Sequence, residues 1–309
     1  MASTRKSLVL AKIEVTQFTD PTPTPAANAI LVKNQTITPL RVESEDRALI
    51  RAYFGNSEML PVMEEGALEF DVEMAGSGTA GTAPGWGVLM RGSAMAEVIT
   101  ATVSAAYNPI SAAFEYLTIY FYDGLQLFKM TGAAGTWSLD MAAKKIPHFK
   151  FRFIGKYVAA TDAGIPAGAS YTLFQQPKAS IPTWTGTLLV GAYAAKTAAF
   201  NLDIANEINH ALWMNLETIE PVDRKPRGSI TVEAVALATK NYFSDVQAAT
   251  QAAFEVTHGT VAGNKVKVAA PKMQLVDMER TDFSGSLAWK FNTTFSPNTG
   301  NDEVIVTAT

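Results

Sequence analysis

Cysteine is absent from this 309-residue chain, and only three histidines occur in it. That excludes a disulfide framework, a thiolate nucleophile and any cysteine-held zinc or iron–sulfur centre. A surplus of basic charge is also lacking: 25 Lys and Arg stand against 29 Asp and Glu, for a net charge of −4. Stable binding to a phosphate backbone draws on clustered Lys and Arg, so a nucleic-acid-binding role is disfavoured. No window of about 18 uninterrupted apolar residues occurs, and no membrane-spanning helix is expected. The polar, basic start at 1–6 leads into a short apolar run that ends at Lys12, which is not a secretory leader. The expectation is a soluble, unsecreted product. A hydrophobic share of 48% is enough for a real core and too much for a disordered chain.

What is present is dominated by a period of two. Leu68, Phe70, Val72 and Met74 alternate with Glu69, Asp71 and Glu73, the pattern of a half-buried strand. Similar strands are predicted at 8–15, 116–122, 125–130, 148–157, 186–191, 230–235, 265–269, 274–278, 286–294 and 303–307. Helical signals are few. One covers 84–96, opened by Pro84 with Trp86, Leu89 and Met90 on one side. A second covers 241–254, with Tyr242, Phe243, Val246 and Ala249 at helical spacing. The Ala- and Gly-rich stretch 159–170 has neither period and is the candidate linker. The predicted division is a first β domain at 1–160, a linker at 161–170 and a second β domain at 171–309.

An ordered internal repeat supports that division. Gly66-Ala67-Leu68-Glu69-Phe70 recurs 162 positions later as Gly228-Ser229-Ile230-Thr231-Val232, each copy preceded by a Pro-Val pair. Ala113-Phe114-Glu115 recurs as Ala253-Phe254-Glu255, and Asp123-Gly124-Leu125-Gln126-Leu127 as Ala262-Gly263-Asn264-Lys265-Val266. Phe149-Lys150-Phe151-Arg152-Phe153 pairs with Leu287-Ala288-Trp289-Lys290-Phe291. Four anchors in the same order argue for two copies of one fold.

Chemistry-bearing motifs are weak. Gly76-Ser77-Gly78-Thr79-Ala80-Gly81 matches G-x-G-x-x-G, the form of a phosphate cradle. The preceding strand alternates with acids, however, whereas the first strand of a dinucleotide fold is buried on both faces. Pro84 also starts the helix three residues too late. A flexible strand-to-helix loop is the better reading. Glu69, Asp71 and Glu73 share one strand face, but no histidine or further carboxylate converges on them at a ligand spacing. His148, His210 and His258 are scattered, and neither a G-x-S-x-G elbow nor a Walker sequence occurs. No catalytic set, cofactor site or metal site is expected. A carbohydrate-binding or adhesive β-sandwich stays open, with Trp184, Trp213 and Trp289 as its candidate aromatics.

The stretch LEFDVEMAGSGTAGTAPGWGVLMR, 68–91, is more specific. It resembles the tail tube (major tail) proteins of bacteriophages with long, flexible, non-contractile tails. The second half looks like the same group at Asp223-Arg224-Lys225-Pro226-Arg227-Gly228, at 257–264 and at Gly300-Asn301-Asp302-Glu303. The resemblance spans from about Gln17 to the end. It implies a mainly β chain, here two tandem β-sandwich or partly closed barrel domains, each flanked by one helix. It also implies stacked rings of six folds around a channel that conducts DNA into the host without stably binding it. Two folds per chain would close such a ring as a trimer, and one fold with a decorating domain as a hexamer. The implied partners are the chain itself, tape measure protein and the terminator and tip proteins, in a virion assembled in the host cytoplasm. Glu69, Asp71, Glu73 and Glu233 are the candidate lumen residues, because an acidic wall repels phosphates. Pro21, Pro23, Pro25, Gly76, Gly78 and Gly81 mark the candidate inter-subunit loops.

Overall fold

The computed structural model describes residues 6–186 and 188–309. The reading of the first five residues, and residue 187 of the strand expected at 186–191, lie outside these. Strands β1 (Leu8–Ile13), β2 (Ala29–Ile30), β3 (Lys33–Asp46), β4 (Met59–Glu73), β5 (Met95–Thr100), β6 (Ser104–Pro109), β7 (Leu117–Tyr122), β8 (Gln126–Ala142) and β9 (His148–Asp162) make the first half. The second half contains β10 (Leu188–Val190), β11 (Tyr193–Ala195), β12 (Thr197–Asp203), β13 (Asn206–Leu212), β14 (Glu217–Arg224), β15 (Arg227–Glu233), β16 (Gln251–His258), β17 (Val266–Phe283), β18 (Ser286–Ser296) and β19 (Ile305–Ala308). Helices are short: α1 (Pro25–Asn28), α2 (Gly87–Arg91) and α3 (Tyr242–Gln247). The chain is mainly β, with open sheets rather than a closed barrel.

All pairings are antiparallel. In the first half the strands run β1·β7·β8·β9·β4·β3. In the second they run β10·β16·β17·β18·β15·β12. Register agrees as well as order. Leu68 lies opposite Phe153 and Phe70 opposite Phe151, while Ile230 lies opposite Phe291 and Val232 opposite Trp289. The anchor at 113–115 does not correspond: those residues form the loop before β7, whereas 253–255 lie within β16.

Two seams join the halves. β12 pairs with the C-terminal part of β8, Asn201 opposite Asp140 and Leu202 opposite Leu139. The C-terminal strand β19 lies between β17 and β6. A continuous core results. Its first half centres on Trp86, Tyr107, Trp137 and the β9 row Phe149, Phe151 and Phe153, and its second on Phe200, Tyr242, Phe254 and Phe291. Phe151 and Phe153 stack at 6.1 Å, and Phe200 and Phe254 at 4.5 Å. Alternation places every second β9 residue in this core, and each fully buried ring contributes about 1.5–3 kcal/mol.

Both predicted helices are shorter than expected. After α2, Met95–Thr100 is strand β5, because Gly92 and Ala94, the latter at φ 58°, end the helix and turn the chain. After α3, Ala249 at φ 50° makes the equivalent turn and Gln251–His258 is strand β16. β9 continues to Asp162, into the expected linker.

Candidate functional site

Eight strands from the two halves form one uninterrupted run, β3·β4·β9·β8·β12·β15·β18·β17. One face of this run is the core. Alternation sends the intervening polar residues to the other, and the acids of β4 sit there. Glu69, Asp71 and Glu73 lie opposite Arg152, Lys150 and His148 of β9. Cross-strand partners project to the same side of a sheet, so the acid row faces a basic row. Lys150 pairs with Glu69, and Lys33 approaches Glu73 at 4.0 Å. Asp71 is buried, accepts from Asn34 Nδ2 at 2.7 Å and lies 3.8 Å from His148 Nε2. Glu69 raises the pKa of Lys150 by hydrogen bonding. Glu233 belongs to the same face and pairs with Lys196 at 2.8 Å. The face continues through Ser138 and Asp140 of β8, Asn201 of β12 and Asn292 of β18. It is polar with both charge signs interleaved, not a bare acidic wall.

Two hairpin arms extend from this run, one at its β3 edge and one from its interior. The first is the outer part of β3 and β4, where Arg41 of β3 bonds Glu65 of β4 at 2.9 Å. Its end is apolar and solvent-exposed: Ile50, Tyr53, Phe54 and Met59 project into solvent. The second arm, β13 and β14, prolongs the β12–β15 pair and folds back over the first half. Asn206 Nδ2 donates to the carbonyls of Ser93 and Gly135 at 2.8 and 3.1 Å. Arg224 donates to the Ile110 carbonyl at 2.8 Å and pairs with Glu303 at 3.2 Å. His210 lies between Glu217 at 3.0 Å and Glu65 at 3.5 Å, and Lys156 also pairs with Glu217. Burial pushes the Glu217 carboxyl up, but hydrogen bonds from Lys156 and His210 outweigh it and hold the group below the usual carboxylate range. Ile219 of this arm is wholly buried.

The expected loop residues are engaged within the chain. Gly76 N–H donates to Asn264 Oδ1 at 2.7 Å, and Gly78 N–H to the Gly263 carbonyl at 2.8 Å. These amides are therefore not open to a phosphate, and α2 spans only five residues. Gly81 lies against the backbone of Thr102. The Pro21 carbonyl accepts from Lys12 Nζ at 2.8 Å, the Pro25 carbonyl accepts from Ser170 N–H at 3.2 Å, and Pro23 is buried. The three candidate tryptophans occupy separate places: Trp184 under Lys178, Trp289 against Phe243, and Trp213 at the exposed turn of the second arm. His258 is buried, contacts Thr185 Oγ1 at 3.0 Å and the Lys178 carbonyl at 3.1 Å, and is pushed down in pKa by desolvation. Among the described residues, no three His, Asp or Glu side chains are grouped so as to hold a metal.

Residues 4–309 match the family model described as phage tail tube protein. The chain belongs to the phage tail tube family. A polar sheet face carried between two arms suits a family whose members assemble with themselves and with other tail components. The chain is accordingly a structural component of a virion tail tube. Among the described residues, no helix is long and apolar enough to cross a membrane. No curated protein sequence matches the chain significantly.

The arms carry contacts that sequence patterning missed. β3, β12, β13 and β14 were not among the expected strands. The turn between Asn206–Leu212 and Glu217–Arg224 was a local cue to the second arm.

Proposed function

We propose that the chain builds the DNA-conducting tube of a long, flexible, non-contractile tail, with two copies of the tube fold per chain and three chains per ring. The observation that carries this reading is the repetition of strand order and register, β1·β7·β8·β9·β4·β3 against β10·β16·β17·β18·β15·β12. Two domains at 1–160 and 171–309 joined by 161–170 fit that repetition, and six folds then come from three chains. The eight-strand run would line the channel with its polar face. Three such runs closed edge to edge make a ring roughly 45–50 Å across the backbone, from about 4.8 Å between strands tilted by about 40°. After side chains are allowed for, a DNA duplex passes.

Glu69, Asp71, Glu73 and Glu233 are the proposed lumen acids. Interleaved with Lys150 and Arg152, they give a wall without the basic excess that would retain a polyphosphate. Tape measure protein, terminator and tip proteins are the proposed partners, and the host cytoplasm is the proposed place of assembly. Electron microscopy of the purified chain tests the reading. Rings or tubes with a central hole and threefold symmetry are expected; sixfold symmetry from six chains would replace tandem folds by one fold per ring position, and compact particles at every concentration would reject the tube. Charge reversal at Glu69 and Glu73 tests the lumen: unchanged DNA delivery and assembly would place these acids elsewhere.

A further inference from the structure

Arg224 and Asn206 are opposite partners at the root of the second arm, so their side chains project to the same side of that hairpin. Both are buried: the Arg224 side chain is 10% exposed and Asn206 8%. Each is well held at some of its polar atoms and idle at one. The terminal nitrogens of Arg224 donate to the Ile110 carbonyl at 2.8 Å, to Asn301 Oδ1 at 3.2 Å and to Glu303 at 3.2 Å. Its Nε–H has no acceptor among the described residues. Asn206 Nδ2 donates to two carbonyls, of Ser93 and Gly135, which settles which end of the amide is oxygen. That oxygen, Oδ1, has no donor among the described residues.

Arg224 and Asn206 line one cavity of about 230 Å³, walled by Ile110 and Phe114 of the first half and by Val222 of β14. Folded proteins seldom leave a buried donor and a buried acceptor unmatched, because each loses its water without replacement. Here the two idle atoms share a space, so one occupant can serve both. Charge narrows its chemistry. Glu303 already neutralises Arg224, and Asp223 also lines the cavity. An anion would meet two carboxylates and leave the Asn206 oxygen unserved; an ammonium ion would serve that oxygen and leave the Nε–H idle. The fitting occupant is neutral and offers an acceptor and a donor side by side, which is the edge of a primary carboxamide. A trans main-chain peptide holds its C=O and N–H on opposite sides and lacks that edge. The volume lies below the roughly 300–1,000 Å³ of drug- and cofactor-sized sites, which suits a single side chain.

We infer that this cavity is a binding site for a primary carboxamide, carried by a glutamine or asparagine side chain of a protein partner. The amide oxygen accepts from Arg224 Nε–H, an amide N–H donates to Asn206 Oδ1, and Phe114 and Val222 cover the apolar stem. The site is built from segments far apart in sequence, with Asn301 and Glu303 holding the guanidinium in place from the C-terminal end. It does not depend on the number of tube folds in the chain.

Propionamide, the end of a glutamine side chain, is the probe, and saturation-transfer NMR on the dilute, unassembled full chain reads its binding. Half-saturation in roughly the millimolar range is expected of so small a group. R224K keeps a cation beside Glu303 but has no Nε–H, and should weaken binding about tenfold or more. V222W fills the cavity from a residue that is 57% exposed, so it should abolish binding with the fold intact; if R224K does not fold, V222W decides alone. Acetate and N-methylacetamide should each bind about tenfold more weakly than propionamide. Equal propionamide binding by the parent and by V222W would place the amide elsewhere and overturn the inference. No binding by the parent would overturn it too, leaving water as the only occupant. Tighter binding of acetate would replace it by an anion site, and tighter binding of N-methylacetamide by a main-chain site.

Discussion

Asn206 Nδ2 donates to the carbonyl of Ser93 at 2.8 Å, across the seam between the second arm and the first half. The side chain is buried and also reaches the Gly135 carbonyl, while its backbone N–H is taken by Thr136 Oγ1 at 3.1 Å. N206A leaves two buried carbonyls short of a donor, each worth about 1–3 kcal/mol when unsatisfied. Chemical denaturation should show a loss of about 2–4 kcal/mol, and hydrogen exchange in β13 and β14 should rise more than in β9. Uniform exchange across both would remove Asn206 from the role of arm anchor.

A second junction depends on glycines that leave room for close backbone approach. A Cβ built on Gly76 would stand 2.1 Å from the Gly263 carbonyl oxygen, and Gly263 itself, at φ +86°, lies against the Gly78 backbone. G263A meets both obstacles. The left-handed backbone alone costs about 1–2 kcal/mol, before any displacement of the loop. The melting temperature should fall by several degrees, with G285A, at φ +81° but in open space, losing only the backbone contribution. Equal losses in the two variants would show that close packing at 76–81 is not what matters.

Much of this was legible in the sequence, for a definite reason. Strands with one buried face, such as β4 and β9, advertise themselves by strict alternation, and the repeat anchors at Leu68 with Ile230 and Phe153 with Phe291 fall in register. The arms did not advertise themselves, because β3 is exposed along most of its length and β13, Asn-Glu-Ile-Asn-His-Ala-Leu, keeps no strict period of two. The acid row was visible, but not its neutralisation. Lys150 and Arg152 are 79 or more positions away from Asp71 and Glu69, and only strand pairing places them on the same face. The Gly-rich loop resembled a ligand cradle because its partner, Gly263 and Asn264, is remote in sequence.

Acid should destabilise the chain in two stages, the first at His258 of β16 and the second at Glu217 of the second arm. Burial lowers the His258 pKa, so the folded state resists its protonation. Stability from that group is full above the unfolded value of about 6.5 and declines as pH falls through it. Glu217 is also depressed; its contribution is full above about 4.3 and is lost as pH falls toward its folded pKa. Melting temperature against pH should therefore begin to fall below about pH 6.5 and fall again below about pH 4. E217Q should remove only the second decline, and a curve unchanged by it would discount the Lys156–Glu217–His210 cluster.

Glu14 is a buried carboxylate with three donors: Thr118 Oγ–H at 2.6 Å, Gly132 N–H at 2.7 Å and Phe18 N–H at 2.7 Å. It ties the end of β1 to β7 and to the irregular segment of β8 near Gly132, where the β8 register shifts. E14A strands all three donors, whereas E14Q keeps an acceptor for part of the set. Losses of about 3 kcal/mol or more for alanine and about 1–2 for glutamine are expected.

The exposed end of the first arm should matter to assembly and not to the fold. Ile50 and Phe54 make no core contact and are fully solvent-exposed, so I50S/F54S removes no burial from the isolated chain, and its melting temperature should stay within about 1 °C of the parent. In the proposed ring the same side chains would gain cover, each burial contributing about 1.5–3 kcal/mol. The concentration needed for rings or tubes should then rise roughly tenfold or more, since each 1.4 kcal/mol is a factor of ten. Light scattering across a dilution series measures that threshold. An unchanged threshold would mean that the arm's apolar end contacts no neighbour; a lowered melting temperature would mean that it already packs on its own chain.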